Sequence, residues 1–294
     1  MRIKRFAAVT AIAMLSFGIA ACGDKKSDSG GGGTVAKPSF AAGSTMEKLN
    51  KAQKITIGTK FDQPGFGLKG LDGKPAGFDV EIGKLIASEL GIPADKIEWQ
   101  ETPSTVREQV IEQGKVDLVV ATYTINDARK QKVGFAGPYY VAGQNILVKA
   151  DDSSITGPDS FKDGKKKVCS VTNSTPANNI KKSLGNEAQQ LVLFDVYQKC
   201  VDALSQGTVD AVTTDNVILL GFISKNEGKF KLAGENFTKE PYGIGVKKDD
   251  TDFRNFINDV LEKIAKDGRY TKAWTSTAGK FDKNTPTAPA VNRY

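Results

Sequence analysis

The sequence predicts an α/β protein of doubly wound sheets. Strand-like and helix-like patterns alternate along most of the chain, and glycines punctuate the helix ends. A ten-residue segment of the first half also recurs in the second.

Ser44, Thr45, Met46 and Glu47 read as a capping box that opens a short helix. Residues 54–60 follow as a strand. Within residues 77–91, Phe78, Ile82, Leu85, Ile86 and Leu90 share one helical face, and Gly91 supplies the stop. Residues 96–101 form the next strand, and Thr105 to Glu108 open a helix that stops at Gly114. Residues 116–121 are a near-continuous apolar run, as expected of a buried parallel strand. The second half repeats the scheme with strands at 167–171, 191–194 and 209–214 and helices at 176–184 and 196–206. Residues 242–247 and an amphipathic helix over 252–266 close the alternation.

The recurring segment is QGKVDLVVAT at 113–122 and QGTVDAVTTD at 206–215, aligned without a gap. Each is a helix end, a glycine stop and a strand. Many α/β turns share that plan; the sharper reading is two lobes of one build, with Thr122 and Asp215 at equivalent strand ends. Ligands of open α/β sheets bind at the carboxyl ends of strands, which makes both residues site candidates.

At the start, Arg2, Lys4 and Arg5 precede an uncharged stretch over 6–21 that ends in small residues. This is the layout of a signal peptide, residues 1–21. Ile19, Ala20, Ala21 and Cys22 resemble the bacterial lipobox, whose cysteine carries lipid after cleavage. Residues 22–43 begin with a Gly/Ser/Asp/Lys tract and read as a lipidated flexible tether. One acyl chain anchors only marginally, so stable attachment at Cys22 implies more than one. Removing the leader takes 41 basic and 34 acidic residues to 38 and 34, a net charge of +4. That mild charge gives nucleic-acid binding little support.

Two cysteines remain, Cys169 and Cys200. Outside the cell they read as a disulfide, with a pair of buried thiols as the alternative. There is no histidine, which excludes Ser-His-Asp and Cys-His machinery and His-ligated zinc. No cofactor and no metal site are expected.

GFDVEIGKLIASEL at 77–90 and ATYTINDAR at 121–129, followed by VGFAGPYY at 133–140, resemble the bacterial extracellular solute-binding proteins of the polar amino-acid class, family 3. With KFDQPG at 60–65 and the two cysteines, the likeness is nearest to actinobacterial glutamate-binding lipoproteins of ABC importers. It covers about residues 50–280. It implies a periplasmic-binding-protein-like fold of two lobes joined by two crossings, near 141–145 and 240–243. Lobe 1 would be residues 44–142 plus 242–280, lobe 2 residues 143–241, and residues 281–294 a C-terminal tail. It further implies a monomer on the outer face of the cell membrane that hands an amino acid to permease subunits.

The resemblance carries roles residue by residue. Arg129 offers a planar fork for an α-carboxylate. Asp215 answers the ammonium, its alternative being a helix cap before Asn216. Thr122, Thr124, Ser174 and Thr175 supply hydroxyl or backbone groups, the last two at a helix start that favours an anion. Relatives that bind cationic amino acids carry an acid near the position of Lys60. A lysine there implies an acidic side chain, glutamate or aspartate, with Arg107 as a second candidate cation. The alternatives are a solvated strand-end lysine and a helix-surface arginine. A glutamine or broad polar amino-acid binding protein, or a sensor subunit for a signalling partner, fits the same sequence. An enzyme on this scaffold would need a general acid or base beside the substrate; the amino-acid grip of Arg129 and Asp215 and the lack of histidine argue against it.

Overall fold

The computed structural model describes residues 38–282 and 284–294. The expected signal peptide, the expected lipid site at Cys22 and the stretch before residue 38 assigned to the tether lie outside them.

Two five-stranded mixed sheets and a small meander make up the β structure. The first sheet holds β1 (Ile55–Thr59), β5 (Ile97–Glu101), β6 (Leu118–Val119), β7 (Val133–Ala142) and β13 (Glu240–Lys247), in the order β5-β1-β6-β13-β7. The second holds β8 (Gln144–Lys149), β9 (Val168–Val171), β10 (Leu191–Phe194), β11 (Ala211–Asp215) and β12 (Phe230–Leu232), in the order β10-β9-β11-β8-β12. The meander is β2 (Asp62–Gln63), β3 (Gly67–Lys69) and β4 (Pro75–Ala76). The α-helices are α1 (Thr45–Ala52), α2 (Phe78–Glu89), α3 (Arg107–Glu112), α4 (Asp127–Lys130), α5 (Thr175–Ile180), α6 (Glu187–Gln190), α7 (Tyr197–Gln206), α8 (Asn216–Lys225), α9 (Thr251–Lys266) and α10 (Arg269–Ser276). Among the described residues no helix is long and apolar enough to cross a membrane.

The two sheets have one plan. In each, three strands run parallel and two antiparallel strands follow, so β6 and β11 hold the same middle place. These strands carry the recurring segment. The chain passes from one sheet to the other at Gly143, between β7 and β8. It returns between β12 and β13, where Glu240 pairs with Ala142.

Both faces of the central strands are covered, which explains their apolar runs. Leu118 and Val120 enter the main core, while Val119 and Ala121 enter a second cluster with Ile111, Tyr123 and Phe135. On the other sheet Leu147, Cys169 and Val212 face the main core, and Ile146, Val168 and Ala211 face a third cluster around Phe161. Burial on both faces hides the period of two that marks a half-exposed strand.

Several boundaries shift for physical reasons. Ser44 caps α1 by accepting from Glu47 N–H at 3.2 Å, but Glu47 reaches back to Gly43 N–H at 2.7 Å, so the box closes one residue early. The expected cap at Thr105 is absent: α3 starts at Arg107 without a side-chain cap, and Glu108 pairs instead with Arg129 at 3.2 Å. At the end of the stretch assigned to the tether by sequence, Pro38 and Phe40 are half-buried, with Phe40 edge-on to Phe256 at 5.6 Å. The tail assigned to 281–294 also docks: Asn292 N–H donates to Gly137 O at 2.7 Å, and Phe135 N–H donates to Tyr294 Oη at 2.8 Å.

Cys169 of β9 and Cys200 of α7 are disulfide-bonded across 31 residues, with Cα atoms 5.5 Å apart. Their joint replacement by alanine should lower the unfolding free energy by about 3–4 kcal/mol, the loop-closure value for that span. Urea unfolding measures it, and an unchanged midpoint would contradict the assignment of a stabilising crosslink.

Candidate functional site

Seven of the eight predicted residues line one cavity between the two sheets: Lys60, Arg107, Thr122, Thr124, Ser174, Thr175 and Asp215. It holds only about 10 Å³, room for about one water and far below the roughly 300–1,000 Å³ of pockets for drug-sized ligands, so an amino acid enters only if the walls move apart. Arg129 lines the neighbouring open cleft, and Thr175 borders both.

The local structure places these groups. After β6 the chain turns sharply, and Thr122 adopts a left-handed backbone at φ 44°. Its N–H donates to Asp79 Oδ2 at 2.8 Å, and its hydroxyl lies 3.0 Å from Gln63 Oε1. Thr124 is fixed by a bridge to Tyr242 of β13, beside the bond from Ile125 N–H to Pro241 O. Arg129 sits on the single turn of α4, whose cap Asn126 accepts from Arg129 N–H at 3.0 Å.

Four of the five N–H groups of the Arg129 guanidinium face acceptors. Nε faces Glu108 at 3.2 Å; Nη1 donates to Thr124 O at 2.7 Å and Thr175 Oγ1 at 3.0 Å; Nη2 lies 3.4 Å from Asn173 O. It thus spans from the first sheet's loops to the second's. Burial, then the nearby Arg107, lowers its pKa to about 10. Arg107 stacks on Tyr123 with its Cζ 4.0 Å from the ring centroid, and Arg129 approaches the same ring at 5.1 Å. Arg107 Nη1 donates to Ala121 O at 3.1 Å, while its buried Nε has no partner.

Lys60, Arg107 and Asp215 are 4%, 3% and 3% exposed, so neither cation is the solvated surface residue that sequence left as an alternative. Lys60 Nζ donates to Ser104 Oγ at 2.9 Å. Burial first, then Arg107, lowers its pKa to about 7, against the opposing pull of Asp62 and Glu101. Asp215 does precede α8, yet its side chain makes no cap bond. Its Oδ2 accepts from Tyr242 Oη at 2.5 Å, and its buried Oδ1 has no partner. Burial and the Glu240 charge raise its pKa to about 7. Ser174 is the cap of α5, with Oγ accepting from Ala177 N–H at 3.1 Å. Among the described residues no cluster of His, Cys, Asp and Glu could hold a metal.

Sequence reasoning missed Gln63, Ser104, Tyr197 and Ile218 in the cavity wall, and Asp79 behind it. Asp79 is fully buried and accepts from Tyr139 Oη at 2.6 Å as well as from Thr122. An acid inside the apolar face of residues 77–90 was the available signal, because a buried carboxylate needs donors. Burial raises its pKa to about 6.

Residues 55–276 match the sequence profile of the bacterial extracellular solute-binding proteins, family 3. The chain is 42% identical to the glutamate-binding protein GluB of Corynebacterium efficiens, over 94% of this chain and 91% of that one. It is 38% identical to the ABC transporter glutamine-binding protein GlnH of Bacillus subtilis, over 87% and 90%. Among solved structures it resembles an ancestral arginine-binding protein bound to glutamine, with TM-score 0.71, 36% identity and coverage of 76% and 97%.

Because Asp79 and Asp215 titrate higher in the folded state than in the unfolded chain, the folded state keeps their protons to higher pH. These two groups should therefore make the protein less stable as pH rises from about 4 to about 7. Denaturation across that range should show the decline, and Asp79→Asn with Asp215→Asn should flatten it. An unaltered slope in the double variant would contradict the burial argument.

Proposed function

The chain belongs to the bacterial extracellular solute-binding proteins of family 3, and we propose that it captures an acidic amino acid, glutamate or aspartate, for an ABC importer. The observation that carries this reading is the pairing of Lys60 and Arg107, both buried, with the unpartnered Oδ1 of Asp215 in one small cavity. An ammonium at Asp215 would complete that carboxylate. A side-chain carboxylate would neutralise the cations, since burying a charge is tolerable only when it is paired. Arg129 would take the α-carboxylate by turning its fork from the protein acceptors it now holds, and Thr122, Thr124, Ser174 and Thr175 would complete the grip.

The glutamate-binding relative supports the acidic reading. Glutamine is the second reading, favoured by the 38% identical glutamine-binding relative and by a lysine whose pKa near 7 lets it become neutral. The site is read as one of binding and not of catalysis. Residues 44–142 plus 242–280 and residues 143–241 would close as two lobes. Lipid on Cys22 would hold a monomer near permease subunits at the outer face of the membrane, in transport or in sensing.

Calorimetry should show glutamate or aspartate bound far more tightly than lysine or arginine, and Arg129→Ala should abolish binding of every amino acid. Tight lysine binding would refute the charge argument, and normal affinity in the variant would remove Arg129 from the site. The pH dependence separates the two readings. An ammonium favours ionised Asp215, so binding of any amino acid should weaken as pH falls below about 7. A side-chain carboxylate favours protonated Lys60, so glutamate binding should also weaken above about 7. Glutamate should thus give a maximum and glutamine only the acid limb; matching profiles would place the side-chain contact away from Lys60. Lys60→Gln should shift preference toward glutamine.

A further inference from the structure

Gly221 stands in the middle of α8, where glycine is about 1 kcal/mol less favourable than alanine. A Cβ at this position would lie 2.4 Å from Pro64 O, so the close approach of that carbonyl requires glycine. Pro64 is on the turn between β2 and β3, in chain that leads out of the first sheet, whereas α8 packs on the second. Two residues earlier, in β2, Asp62 Oδ2 accepts the N–H of Tyr197 at 2.7 Å. Tyr197 opens α7, its preceding residue Val196 provides no cap, and Tyr197 lines the cavity. β2 and the turn after it therefore touch the second half twice, once through a charge-assisted cap and once through a glycine contact.

We propose that Asp62, Pro64 and Gly221 form a latch that holds the two halves together around the cavity and sets affinity by a common factor for every ligand. The proposal rests on the reading that capture requires closure. Apparent affinity then scales with the fraction of molecules that can reach the closed arrangement. Asp62, Pro64 and Gly221 do not themselves line the cavity. The one electrostatic overlap is Asp62, whose charge acts on Lys60; Gly221 carries no charge and is the cleaner lever.

Gly221→Ala should keep or raise thermal stability, because alanine favours the helix. It should weaken binding of L-glutamate and L-glutamine by the same factor, about tenfold or more. Asp62→Ala should also weaken both. Val196→Ser, added to Asp62→Ala, should restore a cap to α7 but not the affinity, since the new cap lies within one half. Single-molecule energy transfer between dyes on the two halves should show the compact population reduced in Gly221→Ala. Undiminished affinity in Gly221→Ala, or affinity recovered by Val196→Ser, would overturn the latch. Failure of the wild type to bind either amino acid would instead refute the proposed substrate class, and the compact population would still decide the latch.

Discussion

A charge taken out of water needs a partner, and the cavity between the sheets is arranged around that requirement. Lys60, Arg107, Asp79 and Asp215 are all buried in or behind its wall. Asp79 is satisfied by Tyr139 and Thr122, whereas Asp215 keeps one oxygen unpartnered and Arg107 one nitrogen. Desolvation drives Lys60 and Asp215 from opposite sides toward about 7. Neither charge is strongly held by the protein alone, so a zwitterion with a further carboxylate would gain most where the protein is least satisfied.

The frame delivers these groups through the two first-sheet strands that lead to and from the crossings. Tyr139 on β7 donates to Asp79, and Tyr242 on β13 donates to Asp215. Their rings lie 6.1 Å apart, next to a cluster in which Phe66 meets Phe78, Tyr140, Tyr242 and Trp274. Gly77, at φ 141°, lets α2 start against the Phe66 backbone, which brings Asp79 under Thr122. Any rearrangement at the crossings would therefore reach Asp79 and Asp215 through hydroxyl hydrogen bonds.

Much of this was legible in the sequence. The glycine stops and apolar faces located α2, α7 and α9 to within two residues or so, and the repeat at 113–122 and 206–215 found two strands that hold the same place in their sheets. The meander was not legible, because β2 and β4 are two-residue strands shaped by Gly65, Gly67 and contacts distant in sequence. The absence of the expected Thr105 capping box at the start of α3 was hidden for the same reason: Arg129, 21 positions on, pairs with Glu108. The fold gathers seven of the eight motif-derived candidates around one cavity, while the place of Ser104 and Tyr197 in its wall, and of Gln63 within its motif, required the folded chain. Lys60 was singled out by residue type, but its burial, on which the proposed selection depends, belongs to the tertiary structure.

The central claim is that buried, incompletely paired charges select an acidic amino acid. A crystal structure with L-glutamate tests it most directly. The account predicts the α-carboxylate at Arg129, the ammonium on Asp215 Oδ1, and the side-chain carboxylate within hydrogen-bond reach of Lys60 or Arg107. A side-chain carboxylate directed into the open cleft beside Asn178 and Asn179, away from both cations, would contradict it.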